Sequence, residues 1–247
     1  MKLAIAGASG RMGQTLLELA AADRELEVVV AHDVVGAGKP AGKFTVTDEV
    51  KSLARADVVV DFTRPEATVA HLAHARAMVI GTTGFSDAQQ KAIADAGRRI
   101  PIVMAANFAV GVNAAYKLAE TAAQILDDAY DVEIIEAHHR HKVDAPSGTA
   151  LKLGEIIASV LRKKDFAFGR KGDTGERPAR QIAFHSIRGG DIVGEHTVVF
   201  AGAGERVEVT VRSQSRATYA SGALRAVKWL KGKPAGLYDM GDVLGLK

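Results

Sequence analysis

The sequence of 247 residues has no cysteine, only 5% aromatic residues and six prolines. The absence of cysteine excludes disulfide frameworks, thiolate metal sites and cysteine nucleophiles. Few aromatics, a net charge of only +3 and no long run of lysine or arginine argue against a nucleic-acid partner. No apolar run approaches about twenty residues, and Gly7 interrupts the apolar start. We therefore expect neither a membrane span nor a signal peptide, and a cytoplasmic protein by elimination.

The first hundred residues alternate short apolar runs with helical patterns, which predicts a parallel sheet covered on both faces. Right-handed crossovers make this a Rossmann-type, doubly wound α/β fold. The predicted strands are Lys2–Ala6, Glu27–Ala31, Asp57–Phe62, Met78–Ile80 and Ile102–Met104. The predicted helices are Gly13–Ala22, Glu66–Ala75 and the segment from the N-cap Ser86 to Ala96.

The pattern changes after Asn107 and predicts a second, α+β domain with an open mixed or antiparallel sheet. We interpret Lys163–Pro178, which is charged and poor in apolar residues, as a mobile loop. After Tyr219 the chain is predicted to form one more helix and then a short tail. The helices predicted from Asn107 onward are Asn113–Leu126, Ser147–Leu161 and Ala220–Leu230. The strands are Asp131–Ala137, Gln181–Ser186, Ile192–Ala201 and Arg206–Arg212.

A glycine loop lies between the first predicted strand and the first helix. Its sequence is Gly7-Ala8-Ser9-Gly10-Arg11-Met12-Gly13. Glycines there allow a tight turn and close approach to a pyrophosphate, which the helix N-terminus then binds. The pattern alone is weak, because glycine clusters also form ordinary turns. Asp33, twenty residues beyond Gly13, strengthens it, since an acid at that place accepts hydrogen bonds from the adenosine ribose.

The residue after Asp33 is Val34, so no arginine follows to pair with a 2′-phosphate. We therefore expect NADH to be preferred and NADPH tolerated, with Arg11 able to reach a phosphate from the loop. Two further stretches follow strands in the same domain and are candidates for lining the nicotinamide and its ribose. The alternative for each is plain turn chemistry. The candidate residues are Gly81, Thr82, Thr83, Ala105, Ala106, Asn107 and Phe108.

The densest chemical signal is the run His138-His139-Arg140-His141-Lys142. A metal site is disfavoured, because adjacent residues of a strand point to opposite faces and the flanking Arg140 and Lys142 repel a metal ion. Proton transfer suits a histidine near neutral pH, and a lysine suits a carboxylate ligand. Ser147-Gly148-Thr149 then opens a helix whose amides form a second anion site. The alternative is a solvated charge run beside an ordinary capped helix.

The continuous run Glu133–Ala150 resembles the signature of the 4-hydroxy-tetrahydrodipicolinate reductase family of the diaminopimelate–lysine pathway. The resemblance spans essentially the whole chain. It extends to Gly7–Gly13, Asp61-Phe62-Thr63, Gly81–Phe85, Ala106–Asn113, Gly190–His196 and Tyr238–Val243.

This resemblance implies roles residue by residue. His138 and Lys142 match the catalytic positions. His139, Gly148 and Thr149 match substrate-binding positions, to which we add Ser147. The cofactor contacts would come from Gly7–Met12, Asp33, Gly81–Thr83 and Ala105–Phe108. Some members have Glu-Arg where this chain has Asp33-Val34, which reinforces the expected preference for NADH.

The resemblance also implies an assembly and a reaction. The expected dinucleotide-binding domain comprises 1–107 and 219–247, and 108–218 form the substrate-binding and oligomerisation domain of a homotetramer. Domain closure is expected at 107–111 and 216–219. The substrate is a small dicarboxylate, reduced with loss of water.

Rival hypotheses are a reductase of another imine or semialdehyde, a non-catalytic cofactor-sensing subunit, and a histidine-ligated metal hydrolase.

Overall fold

The structure is a computed structural model that describes residues 1–163, 165–215 and 217–247. The chain divides into two compact units. Unit 1 comprises Met1–Val110 together with the chain after Ser215, and unit 2 comprises Gly111–Ser215. Lys164, in the predicted mobile loop, and Arg216, in the predicted closure segment, lie outside the described residues.

The strands are β1 (Lys2–Ala6), β2 (Glu27–His32), β3 (Pro40–Ala41), β4 (Phe44–Thr47), β5 (Val58–Asp61), β6 (Met78–Ile80), β7 (Pro101–Met104), β8 (Asp131–His138), β9 (Asp165–Phe168), β10 (Gln181–Arg188), β11 (Gly194–Ala201), β12 (Arg206–Ser213) and β13 (Gly236–Tyr238). The α-helices are α1 (Arg11–Ala22), α2 (Pro65–His71), α3 (Asp87–Gly97), α4 (Val110–Leu126), α5 (Gly148–Leu161), α6 (Ala217–Trp229) and α7 (Met240–Leu244). Short 3-10 helices cover Val50–Arg55 and Asp127–Ala129.

Unit 1 is built on an eight-stranded sheet of order β13-β7-β6-β5-β1-β2-β4-β3. All neighbouring strands are parallel except the β3–β4 pair. The central strands are buried on both faces, as expected for a parallel sheet. Leu3 and Ile5 of β1 pack in the cluster that contains α1 and α6, whereas Ala4 and Ala6 pack in the cluster of α3. This confirms the predicted doubly wound Rossmann-type fold.

Unit 2 is a five-stranded mixed sheet of order β12-β11-β8-β10-β9. β8 pairs parallel with β10 and antiparallel with β11, so the predicted open mixed sheet is confirmed. One face packs on α4 and α5 through a core that includes Val132, Ile134, Phe184 and Phe200. The residues of β8 alternate between the two faces, so Glu136 shares the helix-covered side with Val132 and Ile134.

Most predicted elements agree with the structure within about three residues, and β1 and β6 match at both ends. Continuous apolar runs fix these buried strands. Ser86 is the N-cap of α3, and its side chain accepts a hydrogen bond from the Gln89 amide in a capping box.

Two predictions were wrong. The segment Lys163–Pro178 contains β9, which pairs parallel with β10, and Lys163 itself is buried with its ammonium 3.4 Å from the Tyr130 carbonyl oxygen. Phe166 and Phe168 alternate with small or polar residues, and both rings contact Phe184. The predicted C-terminal tail is also structured, because β13 joins the edge of the first sheet beside β7 and α7 follows. The β3–β4 pair was not predicted.

Candidate active site

The glycine loop of unit 1 closes a tight turn between β1 and α1. Gly7 has φ of +84°, and the amides of Gly7 and Ala8 both donate to the His32 carbonyl oxygen, at 2.9 and 3.1 Å. A Cβ on Gly13 would lie 2.1 Å from the Gly7 carbonyl oxygen, so the turn requires glycine there. A Cβ on Gly10 would approach only that same oxygen, at 3.3 Å, so the space over Gly10 is open.

This loop fits the phosphates of a dinucleotide. α1 begins at Arg11 after Gly10, which has no side chain to cap the helix, and no carboxylate occurs in its first turn. The first amides of α1 therefore remain available to an anion, and the helix dipole favours one. Ser9, Gly10 and Arg11 are exposed.

Asp33 follows β2 and contacts the glycine loop directly. Its carboxylate accepts hydrogen bonds from the Ser9 amide at 3.0 Å and the Val35 amide at 2.9 Å, one on each oxygen. The Ser9 hydroxyl donates to the Val35 carbonyl oxygen at 2.6 Å. Each carboxylate oxygen keeps a second lone pair, so Asp33 can still accept a bond from a ribose hydroxyl.

The two stretches predicted to line the nicotinamide differ in what they expose. Thr82 is buried, and its hydroxyl lies 3.2 Å from Asp61 Oδ1, so that hydroxyl points into the protein. Gly81 lies against Phe62, because a Cβ there would come within 2.1 Å of the ring. Phe108 is buried in the core of unit 1, 5.8 Å from the Phe62 ring centre. Thr82 and Phe108 can therefore offer a ligand only their main chain, whereas Thr83 is exposed.

In unit 2, β8 ends at His138, and the buried carboxylate of Glu136 binds the imidazole ring of His138. His138 Nδ1 lies 2.5 Å from Glu136 Oε2. The two residues share one face because they are two positions apart on a strand. Glu136 is also bound by Arg188, whose two terminal nitrogens lie 2.9 and 2.7 Å from its two oxygens. The Ser147 amide donates to the same carboxylate at 3.3 Å.

These contacts set the charges of Glu136 and His138. Burial alone would raise the pKa of Glu136, but hydrogen bonds from Arg188, Ser186 and His138 outweigh it and hold the pKa at about 2. Burial lowers the pKa of His138, and the charges of Lys142 and Arg188 act in the same direction, while Glu136 opposes them. His138 is therefore neutral at neutral pH, with a carboxylate on one ring nitrogen.

A second buried histidine lies behind the first. The His196 ring is 5.1 Å from that of His138, edge to face, and its Nε2 lies 2.9 Å from the Ser147 hydroxyl. Burial, followed by the charge of His138, lowers the pKa of His196 to about 4. Ser147 also caps α5, since its hydroxyl accepts a bond from the Ala150 amide. Ser147 is thus fully engaged inside the protein, whereas Gly148 is exposed and Thr149 half-buried in the first turn of α5.

The rest of the histidine run does not continue the strand. The Lys142 amide donates to the His139 carbonyl oxygen, which makes a turn, and the Lys142 ammonium lies 2.8 Å from Asp144 Oδ1. The strand-face argument therefore holds only as far as His138. Among residues 1–163, 165–215 and 217–247, no three histidine or carboxylate side chains are grouped to hold a metal ion.

Sequence reasoning missed Glu136, Arg188 and His196 as members of this cluster. Glu136 could have been found from its two-residue spacing to His138. The other two come from β10 and β11, and only the strand pairing places them beside His138. In the part of the chain that the structure describes, no helix is long and apolar enough to span a membrane.

Comparison with known proteins covers both units. The family described as dihydrodipicolinate reductase matches with its N-terminal profile over residues 1–108 and its C-terminal profile over residues 111–244. The 4-hydroxy-tetrahydrodipicolinate reductase of Aromatoleum aromaticum is 56% identical, covering 100% of this chain and 96% of that protein. The enzyme of that name from Thiobacillus denitrificans is 54% identical, covering 100% and 99%.

A solved structure, the dipicolinate-bound dihydrodipicolinate reductase from Paenisporosarcina sp. TG-14, has a TM-score of 0.79 at 28% identity and covers 97% of each chain. The family predicted from the histidine run is thus confirmed over the full length. The chain belongs to the 4-hydroxy-tetrahydrodipicolinate (dihydrodipicolinate) reductase family of nicotinamide-dependent oxidoreductases.

Proposed function

We propose that the protein reduces 4-hydroxy-tetrahydrodipicolinate to tetrahydrodipicolinate in the diaminopimelate route to lysine. One hydride and one proton are consumed: the hydride forms a bond at C4, and the proton leaves with the 4-hydroxyl as water. The observation that carries the proposal is the His138–Glu136–Arg188 cluster, a neutral histidine fixed at the end of β8 beside the positive charge of Lys142. A nicotinamide cofactor supplies the hydride when bound.

Unit 1 would hold that cofactor. Gly7–Met12 and the open N-terminus of α1 suit the pyrophosphate, and the remaining lone pairs of Asp33 suit the adenosine ribose. The main chain of Gly81–Thr83 and Ala105–Phe108 would line the nicotinamide half. Val34, which is 77% exposed, offers no charge to a 2′-phosphate, and Asp33 repels one, so we propose NADH as the preferred form.

Unit 2 would hold the substrate and move the proton. Because Glu136 accepts the Nδ1 proton of His138, the neutral ring keeps Nε2 as an acceptor that can take up and return a proton. Lys142 would contact a ring carboxylate and share in proton delivery, with His139 beside it. The Ser147 amide already donates to Glu136. We therefore propose that, at the start of α5, Gly148 and Thr149 rather than Ser147 contact the substrate carboxylate.

The assembly is proposed to be a homotetramer formed through the second unit, residues 108–218. The sheet face opposite α4 and α5 carries apolar side chains, among them Ile135 (38% exposed) and Ile187 (52% exposed). We propose a cytoplasmic enzyme with residues 1–107 and 219–247 as its dinucleotide-binding domain. Light scattering coupled to size exclusion would give a mass near 104 kDa for four chains of 26.0 kDa.

The decisive assay couples freshly synthesised substrate to oxidation of NADH, and then of NADPH. We expect turnover with both and a higher kcat/KM with NADH. Lys142→Ala should lower kcat/KM by about two orders of magnitude. Lys152→Ala on α5, whose side chain is exposed and lies 3.6 Å from Glu155, is the matched control and should leave kcat/KM unchanged. Turnover of other cyclic imines or aldehydes, but not of this substrate, would overturn the proposal.

A further inference from the structure

A buried carboxylate in unit 1 has no role in the function proposed above. Asp61, the last residue of β5, is fully buried. Its Oδ1 accepts a bond from the Thr63 amide at 3.0 Å and lies 2.5, 3.1 and 3.2 Å from the hydroxyls of Thr63, Thr68 and Thr82. Its Oδ2 lies 2.6 Å from His71 Nδ1. We call these five residues the Asp61 cluster.

The Asp61 cluster connects segments that leave the same edge of the sheet. Thr63 follows β5 and Thr82 follows β6, and the hydroxyl of Thr82 also accepts a bond from the Thr63 amide at 3.0 Å. Thr68 on α2 bridges the two, since its hydroxyl lies 3.0 Å from that of Thr82. The Asp61 carboxylate therefore fixes the position of the Gly81–Thr83 main chain through the hydroxyl of Thr82.

The cluster also borders the glycine loop. The His71 ring lies 5.0 Å from the ring of His32, nearly perpendicular to it. The carbonyl oxygen of His32 is the acceptor that holds the amides of Gly7 and Ala8. A Cβ on Gly7 would lie 2.7 Å from the Phe62 carbonyl oxygen, so the glycine loop lies against this segment, but its turn is held by the His32 carbonyl oxygen and not by Asp61.

An ordinary core role does not account for this arrangement. A buried carboxylate carries a large desolvation penalty, and apolar residues of similar volume often stabilise a core as well or better. What apolar residues cannot do is fix several donors at set distances from one point. Two of these donors, Thr63 and Thr82, belong to the loops at the edge where ligands of open α/β sheets bind, and Thr68 and His71 join them from α2.

We propose that Asp61 is a positioning residue that holds the segments 62–64 and 81–83 in the shape that binds the nicotinamide ring of the cofactor. This rests on the proposed cofactor site. Asp61 and Thr68 are both fully buried, so they act through Thr63 and Thr82 rather than by touching the cofactor. Without the cluster the binding-competent shape is less populated, and the apparent Kd rises in proportion.

The test separates the nicotinamide ring from the rest of the cofactor. Dissociation constants are measured by fluorescence or calorimetry for NADH and for ADP-ribose, which lacks the nicotinamide. Asp61→Ala should weaken NADH binding about tenfold or more, because three hydroxyls lose their common acceptor. Its ADP-ribose affinity should stay within about twofold of the native protein.

Two more conservative variants, Thr68→Val and Thr68→Ser, allow the proposal to be tested if Asp61→Ala does not fold. Thr68→Val keeps the shape but removes the hydroxyl, and should weaken NADH binding about fivefold. Thr68→Ser keeps the hydroxyl and should stay within about twofold. Thermal melting of each variant reports its fold.

Native-like NADH binding by Thr68→Val and Asp61→Ala would overturn the inference. So would equal losses of NADH and ADP-ribose affinity that follow a fall in Tm, since that is a general loss of stability. A native protein that binds neither NADH nor NADPH would overturn the proposed function itself, and the inference with it.

Discussion

The two units contain matching clusters built around a buried carboxylate. In each, the carboxylate binds Nδ1 of one histidine, and a second buried histidine packs edge-on against the first at about 5 Å. The members are Asp61, His71 and His32 in unit 1, and Glu136, His138 and His196 in unit 2. The carboxylates differ in their other partners, which are neutral hydroxyls for Asp61 and the Arg188 guanidinium for Glu136.

The difference in partners corresponds to a difference in proposed use. Hydroxyl donors are directional and short, so the Asp61 cluster fixes loop positions. The guanidinium keeps Glu136 ionised, so this carboxylate can hold and tune a proton-transferring ring. His138 is the last residue of β8, whereas His71 is the last residue of α2, and both side chains are buried. In these proposed roles, the same chemical unit fixes loop positions in unit 1 and supports proton transfer in unit 2.

The largest expected effect distinguishes the two first histidines. His138→Ala should lower kcat/KM by about 10² to 10⁴, the range for loss of a general acid–base group. His71→Ala should change KM for NADH and leave kcat within about threefold, because it acts only on loop position. Steady-state kinetics with both substrates varied would measure this. Equal falls in kcat for both variants would remove the distinction.

The next effect concerns the partners of the carboxylates. Arg188→Met leaves Glu136 buried and uncompensated, which should cost about 3–5 kcal/mol of unfolding free energy. Arg98→Met, which breaks the exposed pair with Asp95 at 3.5 Å, should cost less than about 1 kcal/mol. Urea unfolding at one fixed protein concentration measures both. Similar values for the two variants would show that Arg188 contributes no more than a surface charge.

Acidification should act on the second histidines. The pKa of His196 is 6.5 when unfolded and about 4 when folded, so the unfolded state binds more protons between those values. Stability should therefore fall as pH is lowered from about 6.5 towards 4, by at most about 3 kcal/mol. Burial also lowers the pKa of His32, which adds in the same direction.

The measurement is urea unfolding from pH 7 to pH 4.5, above the window from 4.5 to about 2 in which Glu136 itself takes up a proton. His196→Asn should flatten the slope. An unchanged slope would assign the acid sensitivity to other groups.

The smallest effect tests the link between the histidine pair and α5. Ser147→Ala removes both the helix cap and the bond to His196 and should cost about 1–2 kcal/mol. Ser86→Ala, which removes an exposed cap and the contact of its hydroxyl with the Gln89 side chain, should cost about 1 kcal/mol. Ser147→Ala measured again in a His196→Asn background reports the bond to His196, and an equal cost in both backgrounds would mean that the bond contributes nothing.

Local pattern was enough to predict most of the fold. Lys2–Ala6 and Met78–Ile80 are continuous apolar runs, and such runs form buried parallel strands whatever lies beside them. β9 and β13 were missed because each is a short edge strand that forms only where a neighbour, β10 or β7, offers its hydrogen-bonding groups. The presence of such a neighbour is a tertiary feature, and it cannot be inferred from the four residues of β9 or the three residues of β13.

The candidate site was predicted in the same uneven way. His138 and Lys142 lie in one dense run, and the run itself resembles a known family. Arg188 lies 52 residues from Glu136 along the chain, and only the register of β8 with β10 brings them together. Thr82 stays a predicted cofactor contact through its main chain; that its hydroxyl belongs to the Asp61 cluster is a fact that no local pattern contains.

Under the proposed function, one carboxylate links the binding of substrate at α5 to the alignment of His138. The Ser147 amide and one arm of Arg188 meet on Oε1 of Glu136, while His138 is held by Oε2. The start of α5 and the histidine ring therefore share a single rigid support. If the proposed roles hold, a molecule whose carboxylate pushes the start of α5 aside would also rotate the His138 ring, which is proposed to exchange a proton. Poorly fitting molecules would then be rejected by slow chemistry even where they bind.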